Sequence, residues 1–379
     1  MGAEAPSAGT LFGSFWPSGT AGHEDELYSF LDRHRLVPLA WEHLGRLGGG
    51  VPEPFRTRFR TDSARLALGN DRLDSHLSAT LALLVAAGVT PLVIKGSALG
   101  QTHYGHSGLR PRSDTDLLVA EADRDKAVDA LLRAGFRQGG GIDGRLVTCQ
   151  VVLVQEDPPG FPHVYDLHWR ISNRQAVAAR LSYQELLDRA IRVPALGPHA
   201  RAPCAVDALL LACAHRAAHH ADHERLIWLY DIHLLVESLS EAELDEFVTL
   251  AIDKQLSGIC KAGIYRAQEL FGTRHPALDA WLSAGDPPEP LSRALLAGHG
   301  HLGGLGSDLR ALNSWADQGR LLREHLFPSA RYMRDRYGIR HRWLLPLAYG
   351  HRIVKGFALA LGELSRRFVG RRRPKSPSV

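Results

Sequence analysis

The sequence predicts an α+β protein in which a small mixed β-sheet is flanked by helical regions on its N-terminal and C-terminal sides. Short apolar runs with strand character are concentrated between residues 90 and 171, whereas apolar residues recur at helical spacing before and after this region. The chain has 379 residues, of which 45% are hydrophobic and 23% charged, so it is long enough for two or three domains with a sizeable core.

Helices are expected first, over residues 24–47 and 54–88, where a glycine C-cap signal ends the pattern. The predicted elements of the core are a strand at 91–94, a helix at 97–104, a strand at 116–119, an amphipathic helix at 121–134, and strands at 147–154 and 163–171. The proline-rich loop 156–162 cannot continue a ladder, which predicts an antiparallel hairpin. We expect the helices on one face of the sheet.

Helical periodicity returns after residue 180 and continues almost to the end of the chain. The predicted helices lie at 205–220, 225–239, 241–254, 257–271, 313–326, 328–337 and 343–364. The segments that follow from this organisation are a flexible N-terminus (1–22), an N-terminal helical region (23–89), an α/β core (90–200), a helical lobe (201–282), a Gly/Pro-rich linker (283–308), a C-terminal helical region (309–365) and a basic disordered tail (366–379).

Composition points to a cytoplasmic protein. The four cysteines show no CxxC pairing, which favours reduced thiols over a disulfide framework. The N-terminus lacks the basic and long apolar regions of a signal peptide. Charged residues interrupt the most apolar late stretch, 343–361, so no transmembrane segment is expected, although peripheral membrane association of residues 346–367 is an alternative to simple helix packing.

The formal net charge of +4 hides an asymmetry along the chain. Residues 331–379 contain 13 Lys and Arg against two acidic residues, whereas the remainder carries a net charge of −7. One interpretation is an anionic partner such as nucleic acid. The other is a solvated helix followed by a disordered tail.

Three aspartates are the strongest candidates for chemistry. Asp114 and Asp116 stand at the head of an apolar run, and residues two apart in a strand point to the same face, roughly 6.7 Å apart. Asp166 lies on another predicted strand and shares its face with His168 and Arg170. Neighbouring carboxylates are unfavourable unless a cation joins them, and Mg²⁺ prefers such oxygen ligands. The structural alternatives are a turn cap for Asp114, an edge charge for Asp116 and an ion pair between Asp166 and Arg170.

A glycine turn, Lys95-Gly96-Ser97, follows the first predicted strand and opens a helix. Arg110 and Arg112 lie between this turn and the paired aspartates. The alternative interpretations are a surface position for Lys95 and ion pairs of both arginines with neighbouring aspartates.

A histidine group on the predicted helix 205–220 and just beyond it invites a metal interpretation. Its members are His215, His219, His220 and His223. There is no HExxH motif and no cysteine at zinc spacing, so we favour packing or hydrogen bonding over a zinc site. On the following helix, Asp231 either approaches the cleft or caps a neighbouring helix.

The order Gly-Ser, Asp-x-Asp and a distant strand aspartate resembles the DNA polymerase beta-like nucleotidyltransferase superfamily. The runs KGSAL, HYGHSGLRPRSDTDLLV, YDLHWRI, HRAAHH, LIWLYDIHLLV and LFPSARYMRDRYG more closely resemble an uncharacterised nucleotidyltransferase family found in many bacterial genomes. The resemblance covers roughly residues 24–360, with the distinctive motifs within 95–171. Ser97 precedes Asp114 by 17 positions, which is longer than the compact spacing common in the superfamily.

The resemblance implies that the core 90–200 is a nucleotidyltransferase core. It would transfer a nucleoside monophosphate from an NTP, such as ATP, to an acceptor and release pyrophosphate. Asp114, Asp116 and Asp166 would be catalytic and hold two Mg²⁺ ions, or Mn²⁺, with Asp166 helping to accept a proton. The implied nucleotide-binding residues are Lys95, Gly96, Ser97, Arg110 and Arg112.

The acceptor and the oligomeric state are left open by the sequence. A small molecule, an RNA end bound through the basic C-terminal region and a protein are the three acceptor classes. A catalytically silent nucleotide-binding or partner-binding module on the same fold is the alternative to an enzyme.

Overall fold

A computed structural model describes residues 23–46, 52–158, 160–219, 225–285, 288–297 and 301–370 of the chain. It confirms the predicted α+β fold class, with a mixed five-stranded sheet and helices on both sides of it in the sequence. The predicted flexible N-terminus (1–22) and residues 371–379 of the predicted tail lie outside the described residues.

The N-terminal region contains helices α1 (Glu24–Arg33), α2 (Val37–Arg46) and α3 (Glu53–Ala86). The turn between α1 and α2 places Arg35 in the left-handed region, with φ of 58°. Gly88 ends α3 with φ of 72°, and the Val89 N–H donates to the Leu84 carbonyl in the same turn. Glycine meets no Cβ penalty in this conformation, so the predicted C-cap is confirmed.

The central sheet has the strand order β1-β2-β5-β4-β3. Its strands are β1 (Leu92–Ile94), β2 (Thr115–Leu118), β3 (Arg137–Gln138), β4 (Gln150–Asp157) and β5 (Phe161–His168). β2 and β5 are parallel, and the other neighbours are antiparallel. The β4–β5 hairpin is therefore confirmed. Its turn is shorter than predicted because Pro162 belongs to strand β5. β2 pairs with β5 only from Tyr165 onward, so Pro162, which has no N–H donor, lies where one edge of β5 is unpaired.

Helices α4 (Lys95–Thr102) and α5 (Arg124–Arg133) connect the first strands. Leu117 and Leu167 point to one sheet face and pack in the same buried cluster as residues of α3 and α5. Ile94 and Leu118 point the other way, into the large cluster formed with the helical lobe. Helices therefore cover both faces of β1 and β2, and the expectation of helices on one face is wrong. These strands are buried at every position, which is the pattern of a strand enclosed from both sides.

Two short helices and a small hairpin precede the lobe and were not predicted. They are α6 (Gln175–Ala178), α7 (Tyr183–Asp188), β6 (Ile191–Arg192) and β7 (Arg201–Ala202). The predicted lobe helices are confirmed as α8 (Ala205–His219), α9 (Leu226–Ser238), α10 (Glu241–Asp253) and α11 (Ser257–Phe271). All four cysteines carry free thiols.

The expected Gly/Pro-rich linker is wrong as a description of residues 283–308. After α12 (Pro276–Ser283), the chain forms α13 (Pro290–Leu296) and α14 (His301–Ala311). Asp308 in α14 accepts hydrogen bonds from Arg174 Nε at 2.9 Å and from the Ala176 N–H at 3.1 Å. A Cβ at Gly304 would lie 2.9 Å from the Arg174 guanidinium, so glycine permits close packing here. The glycine content of this segment had instead predicted a linker.

The C-terminal helices are α15 (Trp315–Leu326), α16 (Ala330–Tyr337) and α17 (Leu345–Gly370). The last one is longer than predicted, so residues 366–370 are helical rather than a disordered tail. Glu324 on α15 accepts hydrogen bonds from the backbone N–H groups of residues 145–147 and thereby joins this region to the core. Among the described helices, none combines the length and apolar character that crossing a membrane requires.

Candidate functional site

A cavity of about 400 Å³ lies where the sheet, the start of α4 and the helical lobe meet. This volume is within the range of small-molecule sites. All of the site residues predicted from the sequence line it, namely Lys95, Gly96, Ser97, Arg110, Arg112, Asp114, Asp116 and Asp166. The fold therefore brings together residues that lie as many as 71 positions apart in the chain.

Two of the three predicted carboxylates are direct neighbours across the parallel strands. Asp116 on β2 is in register with Asp166 on β5, and Leu118 is in register with His168. Ligand atoms of Asp116, Asp166 and His168 all lie within 4.8 Å of one another. Asp114 lies in the same cavity, just before β2 and outside this group.

His168 is a site residue that the sequence did not single out as a ligand. Its Nε2 lies 2.9 Å from Asp116 Oδ1, and its side chain is only 3% exposed. The signal was present in the alternation of strand β5, which puts Asp166, His168 and Arg170 on one face. Arg170 pairs with Glu121 instead, so the proposed structural ion pair between Arg170 and Asp166 is wrong.

The three carboxylates have different electrostatic environments. Burial, followed by the charges of Asp116 and Asp114, raises the pKa of Asp166 to about 6. Burial and Asp116 also raise the pKa of Asp114. Burial acts in the same direction on Asp116, but the Lys95 ammonium and His168 outweigh it and lower the pKa of that carboxyl. Mutual repulsion of buried carboxylates is the condition that a bound cation relieves.

Lys95 is held at these carboxylates and is not the surface lysine of the alternative interpretation. Its Nζ donates to Asp116 Oδ1 at 2.7 Å and lies 3.4 Å from His168 Nε2. Its backbone has φ of 57°, a conformation that costs a residue other than glycine about 1–3 kcal/mol and that concentrates at functional sites. The Lys95 ammonium therefore occupies a position to which the carboxylates would also attract a metal cation.

Gly96 and Ser97 form the first turn of α4 at the cavity wall. A Cβ at Gly96 would lie 3.2 Å from Arg110 Cζ, which is closer than ordinary van der Waals contact. The hydroxyl of Ser97 is buried and has no hydrogen-bond partner among the described residues. The first N–H groups of a helix also lack intrahelical partners, so this turn offers several donors to an anion.

Arg110 and Arg112 form the ion pairs that the sequence left as an alternative to substrate binding. Arg110 donates to both carboxylate oxygens of Asp231, from Nε at 2.8 Å and from Nη2 at 2.7 Å, and Tyr104 donates to the same carboxylate. Arg112 Nη2 lies 2.7 Å from Asp74 Oδ1, and its side chain is 3% exposed. Asp231 thus approaches the cleft. Both arginines contribute to the cavity wall through buried pairs.

Other residues also line the cavity, and none of them was predicted to bind nucleotide or metal. Arg35 comes from the α1–α2 turn and Arg225 directly precedes α9, while the rings of His215 and Trp228 lie edge to face with centroids 5.7 Å apart. His215 and Trp228 lie in the runs HRAAHH and LIWLYDIHLLV, whereas Arg35 and Arg225 lie outside every run quoted for the resemblance, so no local sequence signal identifies the two arginines. Among the described residues, the one group of side chains that could hold a metal ion lies on β2 and β5, so the metal interpretation of the histidine group is not supported there. His220, His223 and the side chain of His219 lie outside the described residues.

Comparisons with protein families and with solved structures each give a match. A family model described as uncharacterised nucleotidyltransferase matches residues 20–272, which is more than half of the chain. Among solved structures, the chain is similar to an antigenic nucleotidyltransferase-like protein from Paracoccidioides brasiliensis, with 14% sequence identity and a TM-score of 0.32 over 53% of this chain and 97% of the other. No curated protein matches the sequence.

Proposed function

Because the chain belongs to the family of uncharacterised nucleotidyltransferases, we propose that it transfers a nucleoside monophosphate from an NTP to an acceptor and releases pyrophosphate. The observation that carries this proposal is the pair Asp116 and Asp166, in register on parallel strands in the wall of a cavity that also contains the first turn of α4. Membership of the DNA polymerase beta-like superfamily is part of the same proposal, since the glycine turn and the separated aspartates occur in the expected order.

The donor set fits a divalent cation. Asp114, Asp116 and Asp166 supply carboxylate oxygens, which suit Mg²⁺ and Mn²⁺, and the ring nitrogen of His168 lies beside two of them. We propose that these carboxylates hold two ions, which when bound would neutralise phosphate charge and stabilise the attacking and leaving oxygens.

The side chains of this protein have separable roles in that reaction. The Ser97 hydroxyl and the first N–H groups of α4 donate hydrogen bonds to phosphate oxygens, and Gly96 leaves room for the Arg110 guanidinium against the same turn. Asp166, which lies in register with Asp116 at the proposed ions, accepts the proton of the attacking hydroxyl. Arg110 fixes the cavity wall beside Gly96 through its bonds to Asp231.

The identity of the acceptor is the finer part of the proposal. A small molecule, an RNA end bound through the basic residues after 331 and a protein side chain are distinguished by where a transferred nucleotide is found. ATP is the first nucleotide to test. The free thiols support a reducing compartment such as the cytoplasm.

The test follows the transferred group. The protein is incubated with Mg²⁺ and each α-labelled NTP, alone, with RNA oligonucleotides and with a small-molecule extract, and both label transfer and pyrophosphate are measured. RNA binding should weaken steeply as salt is raised. We expect Asp116→Asn to lower transfer at least about 100-fold, because it removes charge stabilisation at the reacting phosphate. Asp129→Asn, an exposed carboxylate on α5, is the matched control and should have no effect.

Absence of pyrophosphate release with every NTP and acceptor would contradict the transferase proposal. If Mg²⁺-dependent nucleotide binding persists in that case and is lost in Asp116→Asn, the protein is a catalytically silent nucleotide-binding module.

A further inference from the structure

The positive charges of the cavity differ in whether they already have a carboxylate partner. Lys95 is bonded to Asp116, Arg110 to Asp231, and Arg112 is paired with Asp74. The Arg110 and Arg112 pairs are almost fully buried, and separating one of them would leave a buried charge without compensation. These two arginines are therefore poorly suited to move toward a phosphate.

Arg35 and Arg225 are the remaining arginines of the cavity wall. Arg35 Nη2 donates to Ser113 Oγ at 2.9 Å, and the Arg225 guanidinium lies 5.5 Å from the centroid of the Trp228 ring. Neither forms an ion pair with a carboxylate of the described residues. Burial, followed by the repulsion of Arg225, lowers the pKa of Arg35, while the charge of Asp114 acts in the opposite direction.

The position of Arg35 is fixed by its backbone. The residue occupies the left-handed conformation after α1, where its N–H donates to Asp32 and the Leu36 N–H donates to Leu31. Glycine and asparagine adopt this conformation at lower cost than arginine. Its hydrogen bond to Ser113, the residue before Asp114, holds the guanidinium beside the proposed metal carboxylates.

We propose that Arg35 and Arg225 bind the polyphosphate of the nucleotide, an inference that rests on the proposed nucleotidyl transfer. An anion between them relieves their repulsion, and arginine binds phosphate through paired N–H donors. A polyphosphate carries several negative charges, and these two arginines are the cavity cations without a carboxylate partner in the described part of the chain. A phosphorylated acceptor offers the same chemistry, so the experiment separates the two sources.

The experiment measures equilibrium binding of inorganic tripolyphosphate, ATP and adenosine in the presence of Mg²⁺. The variants are Arg35→Asn, which suits the left-handed backbone, Arg225→Gln and the double variant. Each single change should lower the affinity for tripolyphosphate and for ATP at least about tenfold, and should change the affinity for adenosine by less than about twofold. Arg137→Gln, an exposed arginine paired with Glu156 outside the cavity, is the control and should change none of the affinities.

A purely structural role for Arg35 predicts a lower melting temperature and equal losses for all three ligands. Relief of backbone strain predicts an unchanged or higher melting temperature for Arg35→Asn together with the selective loss. Unchanged tripolyphosphate and ATP affinities in the double variant overturn the inference, as does a wild-type protein that binds neither. An increased KM for the acceptor with unchanged ATP affinity assigns the arginines to an anionic acceptor and also overturns it.

These outcomes are distinguishable from failure of the proposed reaction. A protein that binds tripolyphosphate through both arginines without releasing pyrophosphate retains this inference and loses the transferase proposal. A protein that transfers nucleotides with equal efficiency in the double variant retains the transferase proposal alone.

Discussion

The two faces of strands β2 and β5 come from alternating residues of the same short segments and differ in how their side chains are accommodated. Leu117 and Leu167 point to one face, where they are fully buried with residues of α3 and α5. Asp116 and Asp166 point to the other face, where burial raises the free energy of their charged forms and only partners offset it. The apolar face is complete without a ligand, whereas a cation bound at the other face would offset the repulsion between its carboxylates.

Asp231→Ala should have the largest effect of the changes that test this comparison. It leaves the Arg110 guanidinium buried without its carboxylate and takes a partner from Tyr104. We expect the free energy of unfolding to fall by about 3–5 kcal/mol, measured by urea denaturation. The cavity wall beside Gly96 should loosen as well, so nucleotide binding should weaken in the molecules that remain folded.

Leu117→Ala is the matched change on the apolar face. It should cost about 2–5 kcal/mol of unfolding free energy, because it creates a cavity under α3 and α5. Nucleotide affinity per folded molecule should be unchanged. If Leu117→Ala abolished binding while Asp231→Ala preserved it, the assignment of the two faces would be wrong.

A smaller effect is expected from Lys95→Met, and it concerns metal affinity. The Lys95 ammonium lies 2.7 Å from Asp116 Oδ1 and competes with a divalent cation for that carboxylate. The variant should bind Mn²⁺ about tenfold more tightly in the absence of nucleotide, measured by titration calorimetry. Lys126→Met, a change at a half-exposed lysine on α5, should leave Mn²⁺ affinity as in the wild type. Equal or weaker Mn²⁺ binding by Lys95→Met would show that the lysine supports the ion rather than replacing it.

The smallest expected effect is on the pH dependence of stability, and it concerns residues on the apolar face of the sheet. His76 on α3 stacks on His163 at 3.7 Å and contacts Tyr165 and Gln155. Burial, followed by His163, lowers the pKa of His76, while Gln155 and Asp157 act in the opposite direction. The unfolded chain therefore binds a proton more readily, so stability is lost as the pH falls below the unfolded value of about 6.5.

This prediction is tested by comparing unfolding free energies of the wild type and His76→Gln between pH 7.5 and 5. The loss on acidification should be smaller in the variant by up to about 1 kcal/mol. A loss of equal size in both proteins would show that other groups account for it.

Much of the site was accessible from sequence because its chemistry follows short patterns. The two-residue period of a strand placed Asp166 and His168 together, and Lys95-Gly96-Ser97 predicted a turn into a helix. Gly304 shows where such reasoning fails. Glycines suggested a linker, but the helix at this point needs a small residue against Arg174, and that neighbour comes from a segment 130 positions earlier in the chain.

The sequence by itself determined the main strands and helices of the core and lobe, together with the aspartates and the glycine turn that line the cavity, because periodicity and turn chemistry are local properties. Tertiary structure decided which charges of the cavity have a carboxylate partner among the described residues. Arg110 is paired with Asp231, which lies about 120 positions away along the chain. Arg35 is instead repelled by Arg225, which lies about 190 positions away. Coulomb interactions depend on distance in space and on burial, and the spacing of residues along the sequence gives neither quantity.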